Sequence, residues 1–233
     1  MLLCPGAIPP RPSGSYPEGR WFKSSSATLA DYYTNYSAPV YSKSLIHFFA
    51  TGVFDPSNGP KAIMRGNSAA ATTEADHLTH LQGLPAGHVR ILNFSVAAAS
   101  NTIGFTADEP ALGHAGVFKT RAANWALKVA TTFDSAPGTT RKFKTFGAMS
   151  YDDSGFAFEA TRPTNTVDDQ SIYFSAGPGQ AVQRVASGTK YYKPTIGDRS
   201  LSAGKIVFMD GSSYADTVYV AVPIPNDWGK GSA

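Results

Sequence analysis

The sequence ends in two short apolar runs, residues 206–209 and 217–222, that consist largely of β-branched and aromatic residues. Runs of this kind favour buried strands. The residues between them, Asp210 to Asp216, include the Asp, Gly and Ser that turns select. Because this connection is longer than a tight two-residue hairpin, we expect the two strands to lie in opposite sheets rather than to pair directly. Pro223 and Pro225 are expected to end the last strand, since proline cannot donate to a sheet ladder.

Similar strand-like runs recur from residue 44 onward and are separated by Gly, Pro and Asp. They are residues 44–54, 88–100, 124–133, 140–151, 155–161, 171–175 and 180–187. In the second of these, alternation places Leu92, Phe94 and Val96 on one apolar face. Together with the terminal runs they make about eight strands, which predicts an all-β fold of antiparallel sandwich type. No internal repeat is evident, which argues against a propeller or a solenoid.

The first part of the sequence differs from the rest. Residues 1–20 are rich in Pro and Gly and predict an extended arm. One short helix is expected from Ser24 or Ser25 to Tyr33, and a second over residues 72–83, where Gly83 is a typical stop. We therefore divide the chain into three parts. These are an arm with a short helical segment (1–37), a β-sandwich domain (38–225) and a C-terminal tail (226–233).

Aromatic side chains are concentrated just after the arm, where they are too numerous to leave in water. We expect them, together with the tryptophan of the tail, to contact neighbouring subunits. The residues are Trp21, Phe22, Tyr32, Tyr33, Tyr36 and Trp228.

Charge is sparse: charged residues make up 16% of the sequence and the net charge is +3. The densest basic group, Arg141, Lys142 and Lys144, is too small for a nucleic-acid-binding arm and is a candidate for a diffuse inner surface that touches RNA weakly. The single cysteine, Cys4, cannot form an internal disulfide. No apolar run is long enough for a transmembrane helix, so membrane insertion is not expected.

Three groups of residues invite a chemical reading. Asp76, His77 and His80 could hold zinc in a metal-dependent hydrolase, but their spacing matches no known zinc pattern. The pairs Asp152-Asp153 and Asp168-Asp169 could bind Ca²⁺, yet they are also what tight turns select. No nucleophile elbow, phosphate-binding loop or dinucleotide-binding motif is present. We therefore expect no enzyme activity, no catalytic or metal site and no cofactor.

Exposed aromatic rings offer an alternative function. Tyr191, Tyr192 and Trp228 could stack on sugars, as in an extracellular β-sandwich that binds carbohydrate. Packing within the core or an interface is the simpler explanation for these rings.

Two segments resemble capsid proteins of small icosahedral RNA viruses of the picorna-like group. Residues 18–33, EGRWFKSSSATLADYY, are similar to the segment before the first strand of such proteins, although Ser25-Ser26 stands where Leu-Arg is typical. Residues 214–225, YADTVYVAVPIP, look like the last strand of a jelly roll with its proline-containing exit. The resemblance implies an eight-stranded jelly roll that assembles into a virus shell around the genome.

The same resemblance implies the partners and the location. The partners would be other copies of the chain, sibling capsid proteins and, through weak non-specific contacts, viral RNA. The protein would be made in the host cytoplasm and reside in the virion. Few charges and many Ser, Thr, Ala and Tyr residues suit a subunit whose sides are covered by neighbours.

Overall fold

The computed structural model describes the strands from Tyr33 onward, and side chains within 91–97, 99–100, 102–109, 112–121, 125–163, 169–188, 193–197, 199–211, 217–224 and 227–229. The strands are β1 Tyr33–Thr34, β2 Val40–Ser42, β3 Leu45–Gly52, β4 Ala62–Gly66, β5 Ala71–Ala75, β6 His80–Leu81, β7 Arg90–Val96, β8 Ile103–Glu109, β9 His114–Ala122, β10 Trp125–Thr131, β11 Thr145–Asp152, β12 Gly155–Pro163, β13 Asp168–Ser175, β14 Val182–Ala186, β15 Lys193–Thr195, β16 Leu201–Ser202, β17 Lys205–Ser212, β18 Ala215–Ile224 and β19 Asp227–Ser232.

These strands form four sheets that follow one another along the chain. Sheet I has the order β1-β3-β4-β5, with β2 also on β3, and sheet II has the order β6-β10-β9-β8-β7. Sheet III is β11-β12-β13-β14, and sheet IV is β15-β17-β18-β19, with β16 also on β17. The pairings are antiparallel except for the parallel pair β6–β10. Neighbours in a sheet are mostly consecutive in the chain, which is the connectivity of a meander.

Sheets II, III and IV repeat one another. Each carries one directly opposed aromatic pair in the ladder between two of its inner strands, and each pair is close enough for ring contact. The pairs are Phe105–Phe118 with ring centroids 5.7 Å apart, Phe158–Tyr173 at 5.8 Å and Phe208–Tyr219 at 5.4 Å. They recur at roughly 50 residues, a period typical of propeller blades.

The aromatic pairs of sheets III and IV lie on the face that packs against the preceding sheet. The pair Phe158–Tyr173 belongs to the core between sheets II and III, which also contains Val117, Val129 and Tyr151. Phe208 belongs to the core between sheets III and IV, and Tyr219 packs against that core. Sheet III is therefore covered on both faces, which explains why Phe156, Ala157 and Phe158 are all buried despite their alternating directions.

Hydrogen bonds between sheets also repeat. Ser95 Oγ in β7 binds the backbone of Tyr151 in β11, and Ser150 Oγ in β11 accepts the N–H of Leu201 in β16 at 2.9 Å. Each serine thus ties the first full strand of one sheet to the next sheet. These bonds are buried, and a buried backbone group without a partner is costly. They therefore favour this arrangement of the sheets over one in which the serines lie elsewhere.

The all-β, antiparallel fold class predicted from the sequence is confirmed. The described residues form more strands than the eight expected. Most of these strands pair with the strand before or after them in the chain. The expectation of no internal repeat is wrong, because the recurrence lies in ladder position and ring type rather than in contiguous identity. The expected crossing of residues 204–210 and 217–224 between sheets is also wrong: β17 and β18 pair directly, from Ile206 with Ala221 to Ser212 with Ala215.

Neither expected helix is among the described elements. Ala71–Ala75 and His80–Leu81 are strands, and Tyr33, the expected end of the first helix, lies in β1. The β-branched Thr72 and Thr73 favour the ladder with β4 over a helix. The C-terminal tail includes strand β19 on β18, and Pro223 lies inside β18 opposite Trp228 rather than ending it.

The apolar face predicted for residues 88–100 is shifted by one residue. A bulge between Ile91 and Asn93 interrupts the alternation, so Ile91 joins Phe94 and Val96 in one core cluster. A bulge adds one residue to a strand and reverses the direction of every side chain beyond it.

Candidate interaction surface

The outer face of sheet IV carries a row of exposed and half-buried apolar side chains, which we call the apolar end face. It comprises Val207 and Met209 of β17 and Val218, Val220, Val222 and Ile224 of β18. Side chains in a strand point alternately to the two faces, so Ile206, Phe208 and Ala221 are buried while these six point the other way.

Two cross-strand pairs form the centre of this face. Val207 lies opposite Val220, and Met209 lies opposite Val218. Val207 is 43% exposed, and Met209 and Val218 are each 41% exposed. At the rim, Ile224 is 47% exposed. Contiguous exposed apolar surface of this kind marks interaction sites in soluble proteins.

Glycines extend the face to the edge strand. Gly229 of β19 pairs with Val222, and Gly231 pairs with Val220. A Cβ at Gly229 would lie 3.4 Å from Ile224 Cγ2 and 3.6 Å from Val222 Cγ2. The absence of side chains at these two positions leaves the valine row open to an approaching surface.

The equivalent faces of the other two repeats are covered. The three ladders can be aligned on their aromatic pairs. In this alignment the exposed residues of sheet IV, Val207, Met209 and Val218, correspond to Ala157, Glu159 and Ile172 of sheet III, which lie against sheet IV. They also correspond to Gly104, Thr106 and Val117 of sheet II, which lie against sheet III. Ala157, Ile172, Thr106 and Val117 are each 0% exposed. The apolar end face is thus the one member of this set of three whose covering sheet is missing from the described part of the chain.

The contact at sheet II shows how closely such a face is covered. A Cβ at Gly104 would lie 2.5 Å from Phe156 Cε1 and 2.8 Å from Tyr151 Cγ. Only a glycine permits this approach, because the rings of sheet III lie directly on the strand.

The sequence-predicted basic residues lie together on an exposed segment. Arg141, Lys142 and Lys144 are exposed, and Phe143 between them is buried in the core between sheets II and III. Lys142 Nζ lies 5.8 Å from the centroid of the Phe133 ring, and Arg141 Nη1 donates to the carbonyl oxygen of Pro163 at 3.1 Å. The segment provides a small positively charged edge, and its contact with RNA stays a prediction.

Trp228 is buried rather than exposed. Its side chain is 6% exposed, its ring packs edge-on against Phe174 with centroids 5.0 Å apart, and its Nε1 donates to Gln183 Oε1 at 3.0 Å. The ring therefore stabilises the junction of sheets III and IV within the chain, in place of the intersubunit contact or sugar platform expected from the sequence.

The other aromatic residues that were expected to make contacts are not described as Trp228 is. Trp21, Phe22, Tyr32 and Tyr36, and likewise Tyr191 and Tyr192, lie outside the described residues. For Tyr33 the backbone is described, in β1 opposite Gly52.

The paired aspartates of the β11–β12 turn hold neighbouring turns together. Asp153 accepts the N–H groups of Ala99 and Ser100 at 2.7 and 2.9 Å, which fixes the β7–β8 turn. Asp152 accepts the N–H of Ala203 in the β16–β17 turn at 2.8 Å. These carboxylates therefore join the turns of three consecutive sheets, a structural role that accounts for the pair without a Ca²⁺ ion.

The second aspartate pair also has a structural partner. Asp169 Oδ2 forms a salt bridge with Arg162 at 2.9 Å, and its Oδ1 accepts the hydroxyl of Ser171 at 2.8 Å. Asp168 pairs with Pro163 across the ladder.

Of the three candidate zinc ligands, only His80 lies in a described element, and that element is strand β6. Residues at 71–75 and 80–81 are strands, while Asp76 and His77 lie outside the described residues. Within the described residues, no group of three or more His, Cys, Asp or Glu side chains is placed to hold a metal ion. Nor does that part of the chain contain a helix of the length and hydropathy needed to cross a membrane.

Glu159 is a partly buried carboxyl group that lies between sheets III and IV. It accepts the N–H of Ile196 at 2.8 Å and that of Ala148 at 3.4 Å, and so links β12 to β11 and to the residue after β15. Burial raises the pKa of Glu159 above its ordinary 4.5, and the two backbone donors offset only part of that rise. The carboxyl thus has a positioning role between sheets III and IV.

Comparison with known proteins leaves the family open. No protein-family model matches the sequence, and no curated protein matches it. Among solved structures, a GH43 β-1,3-galactosidase is similar with a TM-score of 0.39 and 11% sequence identity. The match covers 91% of this chain and 48% of that chain, so this chain spans about half the length of the galactosidase.

Proposed function

We propose that the protein is a structural subunit that functions by associating with further copies of itself. The supporting observation is the apolar end face, with Val207, Met209 and Val218 more than 40% exposed where the equivalent residues of sheets II and III are covered by the next sheet. Burying such a face releases roughly 25 cal/mol for every Å² of apolar surface removed from water.

The specific assembly that we propose is the shell of a small RNA virus. A shell subunit needs lateral contacts on several sides, and the low charged fraction of 16% suits a surface covered by neighbours. Other copies of the chain and sibling shell proteins would be the partners, and the exposed Arg141, Lys142 and Lys144 would touch RNA weakly.

Light scattering and negative-stain microscopy of the purified full-length chain test both levels of this proposal. Closed particles would support the shell. Discrete soluble oligomers without particles would support self-association and contradict the shell. A monomer at concentrations up to about 100 μM, far above the range of specific assemblies, would contradict self-association itself.

Carbohydrate binding is a second candidate, and one exposed ring favours it. Trp125 is 43% exposed, and the guanidinium of Arg121 lies 4.7 Å from the centroid of its ring. A flat indole with a cation beside it can stack on a sugar and donate to its hydroxyls. Glycan-array binding that is lost in Trp125→Ala and kept in Phe133→Ala, a second exposed aromatic, would support this function; an array without any binding would exclude it.

A further inference from the structure

The apolar end face contains an oxidisable sulfur at its centre. Met209 is 41% exposed and lies between two partner strands, opposite Val218 of β18 and opposite Thr195 of β15. Its neighbours on the same face of β17 are Val207 and Gly211, because side chains of a strand alternate between the two faces. A dissolved oxidant therefore reaches this residue from the outer side of sheet IV.

Met149 provides an internal comparison within the same chain. It is 1% exposed and belongs to the core between sheets II and III. Methionine sulfur is oxidised by peroxides to the sulfoxide, and this reaction requires contact between the oxidant and the sulfur. The two methionines whose side chains the structure describes thus differ in the access that an oxidant has to them.

We propose that Met209 is a reversible oxidation site whose sulfoxide removes the apolar character from the centre of the apolar end face. The oxidant is a peroxide, and hydrogen peroxide is the simplest. The sulfur attacks one peroxide oxygen, so that an S–O bond forms while the O–O bond breaks; the sulfur loses two electrons and the peroxide is reduced to water. Methionine sulfoxide reductases reverse the step with a dithiol, which leaves as a disulfide while the oxygen leaves as water.

Oxidation changes what the face can pack against. The sulfoxide is polar, and its oxygen accepts hydrogen bonds that the thioether makes only weakly. On the β18 side the neighbouring side chains are Val218 and Val220, which offer no donor to that oxygen. When an apolar surface covers the face, the oxygen loses water without a partner on this side, which weakens the contact by about fivefold or more.

The effect on assembly rests on the self-association proposed above, whereas the oxidation itself and the loss of apolar character do not depend on what covers the face. Both can therefore be measured on a single copy of the chain. Self-association adds one further expectation, namely that Met209 is oxidised more slowly in assembled chains than in free ones.

The experiment treats the purified full-length chain with hydrogen peroxide at low protein concentration. Peptide mass spectrometry should find that Met209 gains one oxygen well before Met149. Retention in hydrophobic interaction chromatography should shorten at the same rate, and methionine sulfoxide reductases with dithiothreitol should restore it.

Two variants isolate Met209 from Met1 and Met64, whose side chains the structure does not describe. Met209→Leu keeps the volume and the apolar character without the sulfur, so its retention should not shorten under peroxide. Met209→Gln places a polar group of similar length at the same position and should shorten the retention without any oxidant. Circular dichroism and thermal unfolding check that both variants fold like the wild type.

Sedimentation of the same samples measures the consequence for assembly. Oxidised wild type and Met209→Gln should associate about fivefold more weakly or worse than untreated wild type, and peroxide-treated Met209→Leu should associate as before.

Three results overturn the inference. They are equal oxidation rates of Met209 and Met149, retention that shortens as much in Met209→Leu as in the wild type, and association that is unchanged once Met209 is oxidised. In the last case self-association would stand. A wild-type chain that is monomeric before oxidation would instead remove the proposed function, and the oxidation and retention measurements would still decide the site.

Discussion

Ser95 and Tyr151 join sheets II and III through two hydrogen bonds made by a single hydroxyl. Ser95 Oγ donates to the carbonyl oxygen of Tyr151 at 3.0 Å and accepts its N–H at 3.2 Å. Both residues are buried, and they are far apart in sequence. The hydroxyl thus satisfies both backbone groups of a residue in the neighbouring sheet, where water cannot replace it.

Removing this hydroxyl is expected to weaken the stack. Ser95→Ala leaves the N–H and the carbonyl of Tyr151 without that partner, and a buried unsatisfied group costs about 1–3 kcal/mol. Urea unfolding should show a lower free energy of unfolding by this amount with an unchanged slope. Ser202→Ala, at an exposed position of β16, serves as the control and should change the value by less than about 0.5 kcal/mol. Equal effects of the two substitutions would contradict the assigned role of Ser95.

A methyl group at Gly104 is expected to disturb the same interface by crowding. Its Cβ would lie 2.5 Å from Phe156 Cε1, inside the van der Waals limit, and the ring is held by its stack on Tyr151 with centroids 4.2 Å apart. Overpacking of this kind costs about 1–3 kcal/mol. Thermal unfolding of Gly104→Ala should therefore shift downward.

Gly197→Ala is the matched control for that substitution. At this position the nearest heavy atom to an added Cβ is Ser200 Oγ, at 3.9 Å. The control should keep the melting temperature of the wild type; a Gly104→Ala chain that melts with it would show that sheets II and III are less tightly packed than described.

The sequence predicted those strands whose alternation is regular. The segment 155–161 became β12, Gly155–Pro163, and the segment 171–175 lies within β13, because both are rich in aromatic and small residues with turn formers at their ends. The helix expected over 72–83 is wrong because the prediction gave the helical spacing of Leu78 and Leu81 more weight than the strand preference of Thr72 and Thr73. Local spacing alone does not include the ladder partner that decides between the two.

The candidate surface was harder to predict than the strands. In the run 206–209 both faces are apolar, so the sequence cannot tell that Ile206 and Phe208 are covered while Val207 and Met209 are exposed. The repeat was missed for a related reason. One aromatic pair recurs in sheets II, III and IV, and a serine recurs in sheets II and III as Ser95 and Ser150. These equivalences become visible only once the ladders are aligned.

Replacing Glu159 by glutamine is expected to raise stability at neutral pH. Burial raises the pKa of Glu159 above 4.5, so the folded state holds the proton more tightly than the unfolded state. The protonated carboxyl of Glu159 therefore adds to the free energy of unfolding. This addition is fully present below pH 4.5 and is lost as the pH rises through the folded-state pKa. Glu159→Gln removes this dependence and keeps an oxygen that can accept the N–H of Ile196.

The measurement for Glu159 is the free energy of unfolding from pH 4 to pH 8. The stability of Glu159→Gln relative to the wild type should increase with pH across the window that begins at pH 4.5. A relative stability that instead decreases as the pH rises would mean that the two backbone donors outweigh burial.

Asp134 should show the opposite pH dependence. Burial alone would raise the pKa of Asp134, but hydrogen bonds from Lys128 and from the side chain and backbone of Thr131, at 2.8 to 2.9 Å, together with the charge of Lys128 hold it below 3.8. The stabilisation is therefore present above pH 3.8 and is lost as the pH falls through the lower folded-state pKa. Because Lys128 and Asp134 are about one third exposed, water screens the pair and the loss in Asp134→Asn at pH 7 should stay near 0.5–1 kcal/mol.

Denaturant unfolding of Asp134→Asn between pH 7 and pH 2 checks this expectation. The gap to the wild type should be constant from pH 7 to about pH 5 and should close below pH 3.8, because only the wild type loses a charge interaction there. Lys128→Met removes the charge of the partner and keeps most of its aliphatic length. This substitution should raise the pKa of Asp134 towards 3.8, so the stability of the Lys128→Met chain should change less between pH 7 and pH 2 than that of the wild type. If the difference in stability between Asp134→Asn and the wild type persists unchanged at pH 2, the charge of Asp134 is not its source. Asp134 would then stabilise the turn after β10 through hydrogen bonds that the protonated carboxyl also makes.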